Sequence, residues 1–476
     1  MIKPDTTHSE YAAAQARWMA CRDVIDGEDA VHKGGDRYLP KLTDQTTSDY
    51  KAYVMRAPFY NATSRTIDGL VGLLFRKDPM LTVPAAMQPI IDDMTLTNAD
   101  FMEVAEVVTR EVIGMGRVGA LVEYPQVVEG PLTQAQAQSQ NLRPYVSIYK
   151  TESIINWRVE RVNNVSQPVM VTLMESVSEW SSEFECSQIA QIRALMLFEG
   201  RYFQRLYRKN ARQEWEQHGE DIYPLMRGRP LDYIPMVIFG PAHNDVAVQK
   251  PPVYDLVTLN LSHYRTTADL EHGAHFTGLP TAVVTGYSPA DTEKLAIGSS
   301  NAWIFPEPAA KASYLEFTGQ GLQALETRLK EKEAGMAAIG ARMLAPEKNV
   351  AEASRTVRLR HSGEGAVLAA IGDMVEHGFD RVLQICADWE GLTGEVKTEF
   401  NDDFEDTVML AQDITALVGA WQAGAISFDT LFWNLKQGEM VEGEKTAQME
   451  KEEIDAAGPP LGAMPAVKPG GIPELP

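Results

Sequence analysis

The run Gly114-Met115-Gly116-Arg117-Val118-Gly119 has the GxGxxG spacing that lets a tight strand-to-helix turn bring backbone N–H groups onto a pyrophosphate. Here the order is reversed. A helical pattern precedes the glycines, a strand pattern follows, and no following βαβ unit carries an acid for a ribose. The favoured reading is a plain helix-to-strand turn. His263, His272 and His275 fall in one helical stretch. No cysteine or carboxylate joins them at a spacing that zinc sites use, and Gly273 weakens the helix between them, so they read as satisfied or solvated polar side chains. Arg201, Arg205, Arg208, Lys209 and Arg212 are interleaved with Tyr202, Phe203, Tyr207 and Trp215, a mixture suited to holding nucleic acid by charge and stacking. Strand alternation explains the same pattern with the cations solvated or paired to Glu214 and Glu216, and that reading is favoured. Lys348, Arg355, Arg358 and Arg360 form a local basic spot where one helix ends and the next begins. Pairing with Glu347 and Glu352 competes with them on level terms.

Other chemistries leave no trace. The chain has no GxxxxGK[ST] loop, no HExxH and no GxSxG. Asp402, Asp403, Glu405 and Asp406 cluster, but without the spacing and glycine of an EF-hand. Carboxylate pairs are so common here that none stands out as an acid/base couple. No catalytic, cofactor-binding or metal-binding residue is expected, and the chain does not read as an enzyme.

The elements that must position any function come from 476 residues with a formal charge of −23, 44% hydrophobic and 23% charged. That is globular composition, with room for about three domains at ~150 residues each or one body with sub-domains. No apolar run approaches the ~20 residues of a membrane span, and the first residues lack the apolar stretch of a secretory signal. Cys21, Cys186 and Cys386 lie far apart, and are expected as buried thiols in a reduced compartment. Gripping duplex DNA needs clustered cations, which argues against tight binding but not against a protein that DNA passes.

Residues 1–119 read as helical: Ser9 is expected to cap a helix to Ile25, a second stretch from Ser48 breaks at Pro58 and resumes to Leu74, and a third runs from Asp100 to Ile113. From 120 to about 240 the pattern is β-rich, with strands expected at 120–124, 145–149, 154–159, 169–173, 194–198, 202–207 and 236–239. A Gln/Ala-rich insert at 133–140 reads as a short surface helix. Two helical stretches, at Val253 to Ala268 and Leu322 to Met343, bracket strand-like pieces at 281–285, 302–305 and 313–317. A long helix follows from Ala353 to Trp389, then two amphipathic helices, the second capped by Ser427. Beyond Glu439 the chain turns acidic, and 458–476 is Pro/Gly-rich and expected to be disordered.

Several runs, in their order and spacing, resemble tailed-bacteriophage portal proteins, the head–tail connector family, and among them a portal-like family long without an assigned function. The strongest is Tyr50-Lys51-Ala52-Tyr53-Val54-Met55-Arg56-Ala57-Pro58-Phe59-Tyr60-Asn61, followed by Arg65 to Gly72 and Phe75-Arg76-Lys77-Asp78-Pro79. Leu121 to Pro125, Arg143-Pro144-Tyr145, Ile154-Ile155-Asn156-Trp157 and Gly424 to Thr430 extend the likeness over about residues 10–440. None of these runs is a catalytic signature.

The resemblance implies an α+β, portal-type fold: a mainly helical wing with a β-rich sub-domain (1–250, helical to 119), stem helices at 251–276 and 320–343 around a small β-rich clip (277–319), a tunnel loop at 344–353, a wing helix at 354–400 and a helical crown at 401–440. The acidic, Pro/Gly-rich tail at 441–476 lies beyond. It implies a homo-oligomeric ring, usually of twelve subunits, at one capsid vertex of the virion, assembled in the host cytoplasm. Double-stranded DNA passes through such a ring during packaging and ejection. The expected partners are the terminase large subunit (the packaging ATPase), head–tail adaptor or tail proteins and the major capsid protein, with no membrane and no cofactor. Lys348, Arg355 and Arg358 are then candidates for touching DNA in the tunnel, and Leu325, Leu329, Met336 and Met343 for contacts between subunits. Two other classes compete: a sequence-tolerant nucleic-acid-binding protein using the patch at 201–215, and an acidic enzyme with a carboxylate or metal site.

Overall fold

The computed structural model describes residues 3–125, 140–162, 164–278, 281–286, 305, 308–315, 320–342, 367–401, 411–437, 440–441 and 445–457. The chain is α+β and divides into two compact units, Met1–Asp402 and Asp403–Pro476.

The first unit opens with helices α1 (Ser9–Asp26), α2 (Glu28–Gly34), α3 (Thr47–Arg56) and α4 (Ala62–Leu74), then strand β1 (Met80–Thr82), α5 (Gln88–Asp92) and α6 (Phe101–Met115). Their starts are set by side chains that accept orphan N–H groups: Thr46 for α3, Asn61 for α4 and Asp100 for α6. At α1 the cap is His8, not Ser9: its ring nitrogen accepts from the Glu10 N–H, while the His8 N–H donates to the Ile155 carbonyl and ties the entry to the β region. At the end of α6, Gly116 takes the left-handed conformation (φ +76°), and a Cβ there would lie 3.1 Å from the Pro251 backbone. The GxGxxG run is therefore the helix-to-strand turn its order suggested.

Strands β2 (Val118–Glu123), β3 (Tyr145–Lys150), β4 (Ile154–Val162), β5 (Val165–Trp180), β6 (Cys186–Phe198), β7 (Arg201–Lys209), β8 (Trp215–Gln217), β9 (Leu225–Met226), β10 (Arg229–Pro230) and β11 (Met236–Phe239) follow. They form a sheet ordered β11-β2-β3, an antiparallel meander β4-β5-β6-β7-β8, and the small hairpin β9-β10. The β-rich stretch is where expected, but β5 and β6 run well beyond their apolar segments. Cross-strand pairing continues from Met170–Met196 out to Trp180–Cys186, through polar residues that no hydrophobic alternation marks.

Helix α7 (Tyr254–Gly278), the hairpin strands β12 (Thr281–Thr285) and β13 (Lys311–Leu315), and α8 (Gln320–Arg342) come next. Two of the three strand-like pieces between the helices are thus strands, the second starting two residues earlier than expected; 302–304 of the third lies outside the described residues. Helix α9 (Val367–Glu390) ends with Glu390, and its expected first part, 353–366, also lies outside them, as does the expected surface helix up to 139. Strand β14 (Lys397–Glu399) pairs back with β1, a link that neither three-residue piece announces.

The core is aromatic at its centre. Phe379 on α9 meets Phe101 at 5.1 Å and Phe239 at 5.0 Å between ring centroids, and Phe400 meets Phe75 at 5.2 Å. Gly378 lies against this cluster, with an added Cβ falling 2.3 Å from the Phe239 ring. Gly378→Ala is expected to overpack the site and cost about 1–3 kcal/mol, read as a lower urea midpoint with an unchanged slope.

Helix α9 is tied to β14 by carboxylates: Glu376 accepts from the Phe400 N–H at 2.5 Å and Asp380 from the Thr398 N–H at 2.6 Å. Burial, the largest cause, raises the Glu376 carboxyl above its usual range; the Phe400 N–H opposes it, and Asp373 and Asp380 add smaller raising contributions. The native state thus holds this proton more tightly than the unfolded chain. The group favours folding below its unfolded pKa, and that advantage is lost as pH rises from there through the higher native value. Glu376→Gln, whose amide oxygen can still accept from Phe400, is expected to stabilise the chain at pH 7 and to lose that gain towards pH ~4. Denaturation midpoints at the two pH values measure it.

Cys21 and Cys386 are buried, and burial pushes both thiols up to about 12. Cys186 departs from expectation: at the outer end of β6 it is exposed. The second unit holds α10 (Ala411–Gln422), α11 (Phe428–Gln437) and α12 (Ala447–Ala457). Ser427 caps α11 by accepting from the Thr430 N–H, and the Trp421 and Phe428 rings pack at 6.0 Å. The acidic stretch after 440 was expected as tail; residues 447–457 are helical instead, with Lys451 bonded to Asp429 of α11 at 2.7 Å. Residues 458–476 lie outside the described residues.

Candidate functional site

Helices α7 and α8 are joined through the β12-β13 hairpin and pack against each other along their length. At about 1.5 Å per residue they are roughly 37 and 34 Å long. Gly273 lies beside Leu322, Lys332 Nζ donates to the Ser262 carbonyl at 2.8 Å, and Gly335 lies beside Leu259. As one number falls the other rises, so the pair is antiparallel. The hairpin register runs from Thr281–Leu315 to Thr285–Lys311, at the end where α7 stops and α8 starts.

The two helices differ in surroundings. Helix α7 packs against α1, α3 and α4 as well as α8, and its apolar residues are spread around the axis rather than gathered in one stripe. It sits in a socket built largely by the Tyr50–Asn61 run. Tyr53 Oη donates to Asp269 Oδ1 at 2.7 Å, the Phe59 and Tyr60 rings meet Tyr264 and His263 at 5.8 and 5.7 Å, and Asn61 caps α4. At the bottom, fully buried Asn260 accepts from the Thr63 N–H at 3.1 Å and the Thr63 hydroxyl at 2.9 Å, and donates to the Tyr60 carbonyl at 2.8 Å. Asn260 was not singled out by sequence. Its signal was only a polar residue on an otherwise apolar helix face.

Helix α8 keeps one face outward. Leu325 and Leu329 are half-buried and share the inner, three-and-four-spaced face of Leu322 and Met336. Met336 is 2% exposed and packs with Ala62 and Leu256, flanked by Leu259 and Ile339. It was expected as a contact for a neighbouring subunit; the chain uses it internally, because α8 lies over the start of α4. The outward face carries Glu326, Arg328, Lys330 and Glu331, then Ala334, Ala337, Ala338 and Ala341. Met343, Lys348, Arg355 and Arg358 lie outside the described residues.

The histidines are not gathered into a site. His263 is buried, with Nε2 3.3 Å from Glu333 Oε1 and Nδ1 3.4 Å from Thr267 Oγ1. His272 lies edge-on to Tyr53 at 5.0 Å, and burial, then Arg56, lower its pKa. Among the described residues no group of three or more His, Cys, Asp and Glu could hold a metal ion. The arginines of β7 are engaged on their own sheet. Arg205 forms a fork with Asp221, at 2.6 and 2.5 Å, whose hydrogen bonds hold that carboxyl below its usual range. Arg208 donates to Gln191 at 2.7 Å, Arg201 stacks on Tyr223 at 4.2 Å and Lys209 lies 5.2 Å over Trp215. The partners differ from the expected Glu214 and Glu216 because the segment after β8 folds back: Ile222 makes an isolated bridge to Gln204 and brings Asp221 alongside.

Arg117 is completely buried. It donates to Thr151 Oγ1 and to the Val246 and Ile154 carbonyls at 3.3, 3.0 and 2.8 Å, and lies 4.4 Å over Trp157. Burial lowers its pKa to about 10, which leaves it cationic at neutral pH. It locks β2, β4 and the 246 loop together.

A family model described as a domain of unknown function (DUF4055) matches residues 252–390, from the start of α7 to the end of α9. No curated protein matches. Among solved structures, the chain is similar to the neck of a native gene transfer agent particle computed with C12 symmetry, at 9% identity and TM-score 0.38, covering 79% of this chain and 91% of that one. It is also similar to the neck of the empty particle computed with C6 symmetry (10%, TM-score 0.40, covering 81% and 92%) and to the virion of the native particle (10%, TM-score 0.37, covering 85% and 96%). No helix among the described residues is long and apolar enough to cross a membrane.

Proposed function

We propose that this chain is a structural component at the head–tail junction of a phage-like particle, and more finely a portal subunit. Many copies would close into a ring through which duplex DNA moves during packaging and ejection. The observation that carries the reading is the antiparallel pair α7–α8 with a β-hairpin at its end, socketed into a helical wing mainly by α7, with α8 touching only the start of α4. Such a pair has a free outer face on α8 whose later half is alanine. Small side chains let a neighbouring helix approach closely, which suits repetition around an axis. In this reading α7–α8 is the stem, β12-β13 belongs to the clip that receives the terminase large subunit and later the head–tail adaptor or tail proteins, and the β-rich wing faces the capsid.

The charge fits a conduit. Duplex DNA carries a charge every ~1.7 Å of axis, so a wall dense in cations would hold it at many points together. A chain at −23 offers a wall that repels phosphates, with Lys348, Arg355 and Arg358 as sparse touching points. Nothing in that role asks the chain to make or break a bond.

Negative-stain images of the purified full-length chain test the reading. Rings with a central hole are expected, about twelve-fold. A monodisperse monomer at micromolar concentration overturns it. Separately, charge reversal at Lys348, Arg355 and Arg358 is expected to impair DNA packaging or retention without dissolving the ring.

A further inference from the structure

The outer ends of β5 and β6 leave the sheet. Strand β4 stops pairing with β5 at Leu173, and β7 stops pairing with β6 at Gln191, yet β5 and β6 continue together from Ser176–Ala190 to Trp180–Cys186. Five residues at about 3.3 Å each make a two-stranded ribbon reaching roughly 17 Å beyond the sheet. The turn at its tip is built: Ser181 N–H donates to the Glu185 carbonyl and Glu185 N–H to Ser182 Oγ, both at 3.0 Å. Trp180 and Phe184 stand out from this tip at 65% and 89% exposure. Glu179, Glu183 and Glu185 surround them, and the whole stretch between Arg161 and Arg193 contains no Lys or Arg. A ribbon of two strands is marginal in water by itself, and large aromatics on an acidic tip gain little from solvent.

A complementary surface exists on the same chain. Between α1 and α7 lies an open groove of about 610 Å³, floored by Ala16, Met19, Val257 and Leu261 and edged by Arg37 and Arg265. Arg37 is paired with Asp23 at 3.3 Å. Arg265 donates only to the Tyr38 carbonyl, and Arg17 lies over the Tyr254 ring; neither has a carboxylate partner among the described residues. The groove is thus apolar inside and cationic at the rim, and of a size that takes compact apolar groups.

We infer that the β5-β6 tip of one copy seats Trp180 and Phe184 in the α1–α7 groove of the next copy, with Glu183 and Glu185 against Arg265 and Arg17. The inference rests on the ring reading and names one of its contacts. Opposite charge and matching apolar character select a second copy as the occupant. In one chain the tip is bare while the groove stands open, so the two surfaces meet between chains. When they meet without reciprocity, two different surfaces make a head-to-tail contact, which closes into a ring where the rotation between copies allows it. Aromatic anchors seated in pockets are the residues that dominate such contacts.

The test uses the full-length chain. Trp180→Ala with Phe184→Ala, both on the exposed ribbon, is expected to raise the concentration needed for assembly by roughly thirty-fold or more, with an unchanged circular dichroism spectrum. Arg265→Glu is expected to weaken assembly, and Glu183→Arg with Glu185→Arg to restore it. For proximity, Gln15→Cys places a thiol in the groove, while native Cys186 stands opposite Trp180 and Cys21 and Cys386 are buried. A short bismaleimide is expected to give a ladder of dimers, trimers and higher species, abolished by Cys186→Ser. Intact rings from the double alanine variant with no ladder overturn the contact and leave the ring reading standing. Cross-linking that stops at dimers also overturns it, because a head-to-tail contact does not stop there. A chain that stays monomeric and uncross-linked at every concentration removes both.

Discussion

Arg22→Met is expected to lower the stability of the first unit by about 3 kcal/mol, near the lower end of the range for breaking a buried ion pair by removing one partner. Arg22 grips two carboxylates from distant parts of the chain: Glu111 on α6 through both terminal nitrogens at 2.8 and 2.7 Å, and Glu152 through Nε at 2.8 Å. The side chain of Glu111 is 8% exposed and that of Arg22 19%, so methionine leaves a desolvated charge with no counter-ion. Glu152 is more open and can return to water. The second substitution decides the cause: Arg22→Met with Glu111→Gln removes the stranded charge and is expected to recover at least half of the loss. Urea midpoints of the two variants give the answer. An Arg22→Met midpoint equal to that of the parent removes the argument.

Asn260→Leu is expected to cost a similar amount, about 3 kcal/mol, for a different reason. Leucine has as many side-chain heavy atoms as asparagine but is bulkier, and it strands the Thr63 N–H, the Thr63 hydroxyl and the Tyr60 carbonyl in a dry site. An unpaired buried polar group costs about 1–3 kcal/mol, and the Thr63 N–H belongs to the first turn of α4, where no intrahelical acceptor is available. Asn260→Asp discriminates further. Its carboxylate can still accept both Thr63 bonds, but it sets an oxygen against the Tyr60 carbonyl, so it too is expected to destabilise. Because Asn260 seats α7 in its socket, the proposed ring, if α7–α8 forms its stem, is expected to assemble less well as the melting temperature falls. A leucine variant with parental thermal unfolding and parental particles shows that the seat does not matter.

These two sites show how differently parts of the molecule are legible. The start of α11 was legible in Ser427, because capping is a local hydrogen bond; Thr46, Asn61 and Asp100 cap α3, α4 and α6 by the same local bond but were not singled out by sequence. The cap of α1 went to His8 instead of Ser9, because the chain enters that helix from a pairing with Ile155, more than a hundred residues away. The apolar segments of the β region were readable, whereas the ribbon ends at 176–190 were not: polar residues on an unburied hairpin carry no alternation. The basic stretch at 201–212 reads in sequence as solvated or paired to Glu214 and Glu216, whereas its partners Asp221 and Gln191 arrive only through strand order.

The amino-acid sequence by itself determined the alternation of helical, β-rich and helical regions, the turn at Gly116, the long helices flanking a small β piece, and the acidic balance. All depend on composition, periodicity or neighbours a few residues apart. Only the tertiary structure decided that α7 is socketed while α8 stays half-open, that Met336 faces inward, that Arg22 and Asn260 bind segments far apart in the chain, and that the β5-β6 tip exposes its aromatics while a groove between α1 and α7 stands open. Those facts depend on which faces meet after folding, and burial is a property of the assembled surface that no local spacing encodes.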